Sequence, residues 1–261
     1  MPVTYLDGII AHHRQRAAND TRDLDALRAK AGTAPAGRFV RALTEYDTLA
    51  VIAEIKRRSP SKGDIDMSID PADLAREYAR GGASCLSVLT DEQFFAGSTA
   101  DLLAARNSVT LPVLRKDFTV CEHDVLDAQL MGADAVLLIV AALTDRELGH
   151  LHHVAHSVGL DALVEVHDDG ELRRALAVGA TFIGVNQRDL HSFSVDTERA
   201  VRLAADIPTD VVAVAESGIT GPADARRCAA AGYRGVLVGE HLVRARDRPK
   251  AVEELRVALP S

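Results

Sequence analysis

The stretch "AEIKRRSPSKGDID" sets Glu54 and Lys56 on either side of Ile55, at the end of an apolar run. Alternate residues of a strand share a face, so a carboxylate and an ammonium point the same way. Either one buried without a partner would be costly. The same kind of residue closes other apolar runs. Lys116 is followed by Asp117, Glu165 sits inside "LVEVH", and Asn186 and Arg188 share a face in "GVNQRDL". Glu216 and Ser217 lead into Gly218, and Gly239 and Glu240 close "RGVLVGE". One Glu–Lys pair alone reads as a salt bridge at a rim. Repeated at several run ends, opposite charges read as a site where carboxylates and ammoniums sustain each other. The chemistry that suits such a set is proton transfer between acids and bases with shifted pKa values.

Elements must bring these residues together. Eight short runs rich in Val, Ile and Leu read as strands: 49–55, 84–90, 111–118, 134–140, 161–166, 181–186, 210–217 and 234–240. Continuous apolar runs of this kind suit parallel strands buried on both faces. The segments between them read as helices. "DPADLAREYARGGA" opens with Asp70 as N-cap and Pro71 in the first helical position, and ends on Gly81 and Gly82. The tags "GGA", "MGA", "VGA" and "AGY" repeat a helix-ending glycine before the next strand. Eight such units in 261 residues predict an α/β fold, a (β/α)8 TIM barrel. The open doubly wound sheet is the alternative, but its GxGxxG turn is missing, as is a P-loop.

Residues 1–48 read as extra helices. One lies in "YLDGIIAHHRQRA", with Leu6, Ile9, Ile10 and His13 at helical spacing; another lies in "PAGRFVRALTEYD". They are expected to cover the bottom or the rim of the barrel. The domain expectation is one (β/α)8 barrel over residues 1–261, with 1–48 as its N-terminal helical extension.

The composition, 47% apolar and 26% charged with 4% aromatic, suits helices layered on a sheet. A formal charge of −8 argues against nucleic acid, which needs a basic face. No export signal or membrane-length apolar run is visible, so no membrane partner is expected. Cys85, Cys121 and Cys228 are isolated thiols and read as reduced cysteines of a cytoplasmic protein. A monomer or weak homo-oligomer is expected.

In a barrel of this kind chemistry gathers at the carboxyl ends of the strands, where all the residues above fall. "AESGIT" and "LVGEHL" put Gly-bearing turns before helix starts after the last two strands. Backbone N–H groups at such turns hold phosphate, so a phosphorylated small molecule is the expected ligand. Arg57, Arg58 and Lys62 on the loop 57–66 would attract an anionic substrate, and Gly63 could serve as the hinge of a lid.

Taken in order, "IAEIKRRSPSKGDI", "LRKDF", "LVEVH", "IGVNQRDL", "VAESGI" and "LVGEHL" resemble the signature segments of indole-3-glycerol phosphate synthase, over about residues 49–245. The leading "VTYLDGIIAHHRQ" is similar to that family's extra helices. The resemblance implies closure of the indole ring in tryptophan biosynthesis. The substrate would be 1-(2-carboxyphenylamino)-1-deoxyribulose 5-phosphate, and neither a metal nor an organic cofactor would be used. By the same resemblance Lys116 matches the general acid and Glu165 the general base. Lys56 matches a lysine that binds substrate anions and has been assigned the second proton donation. Glu54 orients the lysines, and Asn186 stands near the anthranilate carboxylate. The implied catalytic set is Glu54, Lys56, Lys116, Glu165, Asn186 and Ser217. The implied substrate-binding set is Ser59, Arg188, Glu216, Gly218, Gly239 and Glu240, with Arg188 steadying the acid–base network. Ser217, Gly218, Gly239 and Glu240 match the phosphate cradle. At Glu240 the backbone N–H is the expected contact, because a carboxylate beside phosphate repels it. Gln187 stands where the family pattern has a second Asn; it lies on the other face from Asn186, so little change is expected.

Two enzymatic rivals remain at this stage: a Schiff-base aldolase using a barrel lysine such as Lys116, or another phosphosugar-converting barrel enzyme. A non-catalytic phosphate-binding subunit is the third reading. His152 and His156, spaced i, i+4 among the histidines at 150–156, could hold a metal but read as a solvated helix face.

Overall fold

All eight apolar runs become strands, each within its expected window. The computed structural model describes residues 5–32, 37–189 and 193–260. The chain opens with α1 (Tyr5–Ala18), α2 (Leu24–Ala31) and α3 (Arg38–Thr44). The first barrel strand is β1 (Ala50–Ile55), followed by a hairpin of β2 (Arg58–Ser59) and β3 (Gly63–Asp64). Next come α4 (Pro71–Arg80), β4 (Cys85–Leu89), α5 (Glu92–Phe95), α6 (Thr99–Ser108), β5 (Val113–Lys116) and α7 (Glu122–Leu130). The middle holds β6 (Ala135–Ile139), α8 (Asp145–Ser157), β7 (Asp161–Val166), α9 (Asp169–Ala177) and β8 (Phe182–Asn186). The last elements are α10 (Arg199–Ala204), β9 (Val212–Glu216), α11 (Pro222–Ala230), β10 (Gly235–Val238), α12 (Glu240–Arg244) and α13 (Arg248–Leu255).

Strands β1, β10, β9, β8, β7, β6, β5 and β4 pair in that order, all parallel, and β4 closes on β1. The result is a (β/α)8 TIM barrel. Alternation along each strand sorts two cores. On β1, Ala50 and Ile52 face the interior while Val51, Ala53 and Ile55 pack toward the helices. On β7, Leu163 faces in while Ala162, Val164 and Val166 face out. Glu54 and Glu165 continue the inward series, so the strand period alone carries them to the barrel axis.

Local signals are obeyed. Asp70 caps α4 by accepting the Asp73 amide hydrogen at 2.9 Å, and Pro71 occupies its first turn. The tag glycines 82, 132, 179 and 232 all take positive φ, from 77° to 100°, a conformation that lets a helix stop and a strand start within a few residues.

Among the described residues the leading segment forms three helices where the sequence suggested two. The extra one, α2, is short and charged. Asp23 caps it, and Arg28 holds it to α7 through Glu122 at 2.6 Å. Helix α3 plugs the amino-end mouth of the barrel. Asp161, at the start of β7, accepts the amide hydrogens of Gly37, Phe39 and Val40 at 3.1, 2.9 and 3.1 Å. The Phe39 ring then packs 5.8 Å from Phe182. Helix α1 lies at the opposite mouth. His13 reaches Asp91, which follows β4, at 2.9 Å and packs on Phe118, which follows β5, with ring centres 5.2 Å apart. The extension thus covers both bottom and rim. Among the described residues no helix is long and apolar enough to cross a membrane, and the three thiols are free.

Candidate active site

A cavity of about 950 Å³ opens at the carboxyl ends of the strands. Its floor is built strand by strand. Lys116, the last residue of β5, follows inward-facing Leu114. Its ammonium stands 3.4 Å from Glu165 Oε2 and 3.6 Å from Glu216 Oε2. Both carboxyls are nearly solvent-free, at 1% exposure each. Burial works against the charge on Lys116, yet Glu165, Glu216 and Glu54 outweigh it, and its pKa stands above the ordinary lysine value. Burial also raises Glu165, but the Lys116 ammonium and then His167 overcome it, leaving this carboxyl below its usual range. For Glu216, burial and the Glu165 charge act together and push its pKa up to about 8. Near neutrality the cluster therefore holds one ammonium, one carboxylate and one carboxylic acid.

The other expected residues take distinct places. Lys56 donates a short hydrogen bond to Glu54 across the rim. A side chain at Gly239 would collide with the Glu54 carboxylate, so this glycine clears room for the pair. Asn186 ends β8; its Oδ1 accepts the Arg188 amide hydrogen at 3.0 Å, and its side chain adds to the groups that lower the Glu165 pKa. Arg188 lines the cavity. It lies beyond the strand end, and its guanidinium donates to the Phe193 carbonyl at 3.1 Å. Among the described residues it forms no ion pair with Glu165 or Glu216. Ser217 and Gly218 both take left-handed φ, 63° and 72°, and turn the chain sharply after β9. A Cβ at Gly218 would come 2.8 Å from Val195. Glu240 opens α12 and accepts from Arg244 at 3.2 Å, so its carboxylate has a partner away from the backbone N–H groups. Ser59 lines the cavity from the β2–β3 hairpin.

The loop 57–66 is that hairpin, and two of its three cations are engaged. Arg57 is tied to Asp101 and to the Ile69 carbonyl, and Arg58 to Asp64 at 2.7 Å. Lys62 lines the cavity with no ion pair among the described residues, so of the three it alone remains to meet an anion. Gly63 has positive φ and open space around it.

Several site features were not legible in the motifs. Leu6 and Ile9 of α1, with Phe95 and Phe118, give the cavity an apolar wall. The spacing of Leu6 and Ile9 showed a buried face but not what it faced. Gln187 is 1% exposed and donates to the Ser217 carbonyl at 2.8 Å, bracing the turn after β9; its type and face alone gave no hint of this. Gly184, inside β8, leaves space for Glu216, because a Cβ there would run into that carboxyl. A glycine inside a strand was the signal for it. His167 follows Glu165 on the same face and stands 3.5 Å from it. His13, Asp91 and Asp117 form a buried trio with metal-like spacing, but Asp117 is held by Arg115 at 2.9 Å and Asp91 caps α5. Among these residues the trio reads as the latch of α1. His152 and His156 stack on α8, rings 4.4 Å apart, outside the mouth.

A protein-family model described as "Indole-3-glycerol phosphate synthase" matches residues 6–255. The indole-3-glycerol phosphate synthase of a Nocardioides species is 53% identical over 206 residues, covering 79% of this chain and 79% of that protein. That of Azospirillum brasilense is 47% identical, covering 92% and 93%. That of Streptomyces griseus is 46% identical, covering 97% and 93%. Among solved structures, a thiamine phosphate pyrophosphorylase from Pyrococcus furiosus superposes with a TM-score of 0.59 at 19% identity, covering 80% of this chain and 94% of that one. The last likeness is one of fold.

Proposed function

The chain belongs to the indole-3-glycerol phosphate synthase family, and from that premise we propose how its residues close the indole ring. The activity is a decarboxylating ring closure in tryptophan biosynthesis. It converts 1-(2-carboxyphenylamino)-1-deoxyribulose 5-phosphate to indole-3-glycerol phosphate, carbon dioxide and water.

In the first step the ring carbon bearing the carboxylate attacks the ketone carbon. As the C–C bond forms, the carbonyl oxygen takes a proton from Lys116. The bond to the carboxylate then breaks, and its electron pair restores the aromatic ring as carbon dioxide leaves. In the second step the new hydroxyl departs as water. Glu165 removes a proton from the neighbouring carbon, which creates the ring double bond. The single observation that carries this reading is Lys116 lying 3.4 and 3.6 Å from Glu165 and Glu216 at the floor of the cavity. Lys116 and Glu165 touch, so the proton donor for dehydration, which must face the base across the substrate, is a different group. Strand β7 lies four places from β1 in either direction around the ring, so Lys56 is the group across from Glu165. We assign the proton donated to the leaving hydroxyl to Lys56, held by Glu54. Glu216, protonated at neutrality, returns a proton to Lys116 through their contact.

The phosphate would sit on the turns at Ser217–Gly218 and Gly239–Glu240, with binding at Glu240 through the backbone. Arg244 draws the Glu240 carboxylate aside. Ser59, Lys62 and Arg188 would meet the anthranilate carboxylate at the rim. The apolar wall of Leu6, Ile9, Phe95 and Phe118 would receive the aromatic ring. A Schiff-base aldolase is disfavoured, because its lysine must be neutral to attack, whereas Lys116 is held as an ammonium. The reading takes residues 1–261 as one barrel domain with 1–48 as its extension, acting in the cytoplasm as a monomer or weak homo-oligomer. Indole fluorescence on mixing the protein with the anthranilate-derived ribulose phosphate tests it. No fluorescence rise with the native protein would sink it.

A further inference from the structure

His167 stands beside the acid–base floor with no part in the chemistry above. It follows β7, and its side chain is 11% exposed. Glu171 on α9 uses one oxygen, Oε2, for two contacts, accepting the His167 amide hydrogen at 2.8 Å and meeting Nδ1 at 2.9 Å. A carboxylate oxygen that already accepts an amide hydrogen meets the ring as an acceptor as well, so Nδ1 carries a hydrogen. That leaves Nε2 turned toward Glu165, 3.5 Å from Oε1, buried and without a hydrogen-bond partner. A bare Nε2 there would press a lone pair against a carboxylate away from water. A second proton on the ring turns that repulsion into attraction.

We propose that His167 works as an imidazolium bridging Glu171 and Glu165, a positioning residue that engages Oε1 of Glu165 and leaves Oε2 to the Lys116 side. The charged groups around the ring are Glu165 on β7, Glu171 on α9 and Arg199 on α10, with Lys116 and Glu216 beyond Glu165. Burial works against protonation, as does Arg199, but the two carboxylates outweigh both and raise the pKa of His167. Lys116 lies 3.4 Å from the other oxygen, Oε2. The carboxylate is thus gripped from two sides, and its orientation is set before substrate arrives. As pH rises through the His167 pKa, that grip is lost and Glu165 turns more freely. The inference rests on Glu165 being the base of the reaction proposed above.

Ring ¹⁵N NMR on the native protein tests the protonation without substrate. Both nitrogens of His167 should carry hydrogen at neutral pH, and in Glu171→Gln the titration should move to lower pH. Kinetics test the role. His167→Gln, which keeps a donor near the position of Nε2 but cannot titrate, should retain kcat within about tenfold and lose only that part of the alkaline fall in kcat that follows the His167 NMR titration, leaving the part set by Glu216. His167→Ala should lower kcat roughly tenfold to a hundredfold with little change in KM. A bare Nε2 at neutral pH, a titration unmoved by Glu171→Gln, or a His167→Ala protein with native kcat overturns the proposal. If the alanine variant fails to fold, the NMR titrations of the native and Glu171→Gln proteins decide. A native protein without ring-closing activity would count against the reaction, while the NMR result would still judge the histidine.

Discussion

At the scale of single residues, the site works because an amine and two carboxyls packed together sit in unequal fields. Lys116 faces carboxyls and keeps its proton, Glu165 faces two cations and loses its own, and Glu216, buried beside the Glu165 charge, keeps its own. Removing Lys116 should therefore cost turnover more than affinity. Lys116→Met is expected to lower kcat by about 10²–10⁴, the usual contribution of a positioned proton donor. Steady-state rates within a few-fold of native would remove it from that role. Glu216 also leaves a mark on stability. Its folded-state pKa is raised, from 4.5 to about 8, so above its ordinary value the folded chain binds the proton more tightly than the unfolded chain. By linkage this carboxyl takes stability away as pH rises through that window, and the loss is complete above it. Glu216→Gln holds a neutral group at every pH. Its melting temperature relative to native should climb as pH is raised across the window. A constant difference would mean Glu216 is charged throughout.

At the scale of elements, loops add what strands cannot. The β2–β3 hairpin carries Ser59, Pro60 and Lys62 to the cavity, with Gly63 as its point of left-handed backbone. Its base is tied down by Arg57 to Asp101 and to the Ile69 carbonyl. A pinned base with an unpinned tip suits a lid that closes over the substrate. Pro60→Gly, which loosens the tip, should raise KM and weaken the dependence of kcat on solvent viscosity. Unchanged values of both would show that the hairpin does not gate the site. Gln187 shows how much of such a device escapes motif reading. A residue of ordinary type, on the face away from the chemistry, braces the Ser217 turn through one hydrogen bond. The Arg57 and Arg58 charges were equally misleading on paper, because their partners, Asp101 and Asp64, emerge only when the chain is folded.

At the scale of the molecule, a ring of eight strands open at both ends must be closed at one and left accessible at the other. Helix α3 closes the amino end, and its amides are satisfied by one buried carboxylate, Asp161. Asp161→Ala would strand those amides, at a cost of about 1–3 kcal/mol. The midpoint of chemical denaturation should fall accordingly while kcat per folded molecule stays near native, since the plug lies at the far mouth. An unchanged midpoint would show that water serves those amides as well.

The strand windows, the helix-ending glycines and the inward series that carries Glu54, Lys116, Glu165, Asn186 and Glu216 were all determined by the sequence, because strand period and turn chemistry act over a few residues. The signature segments likewise marked the family. What only the tertiary structure decided is who faces whom: Lys116 against Glu165, Lys56 across from it, His167 behind it, α1 over the rim. Those distances follow from ring closure and from packing between residues far apart in the chain, and no local pattern encodes them.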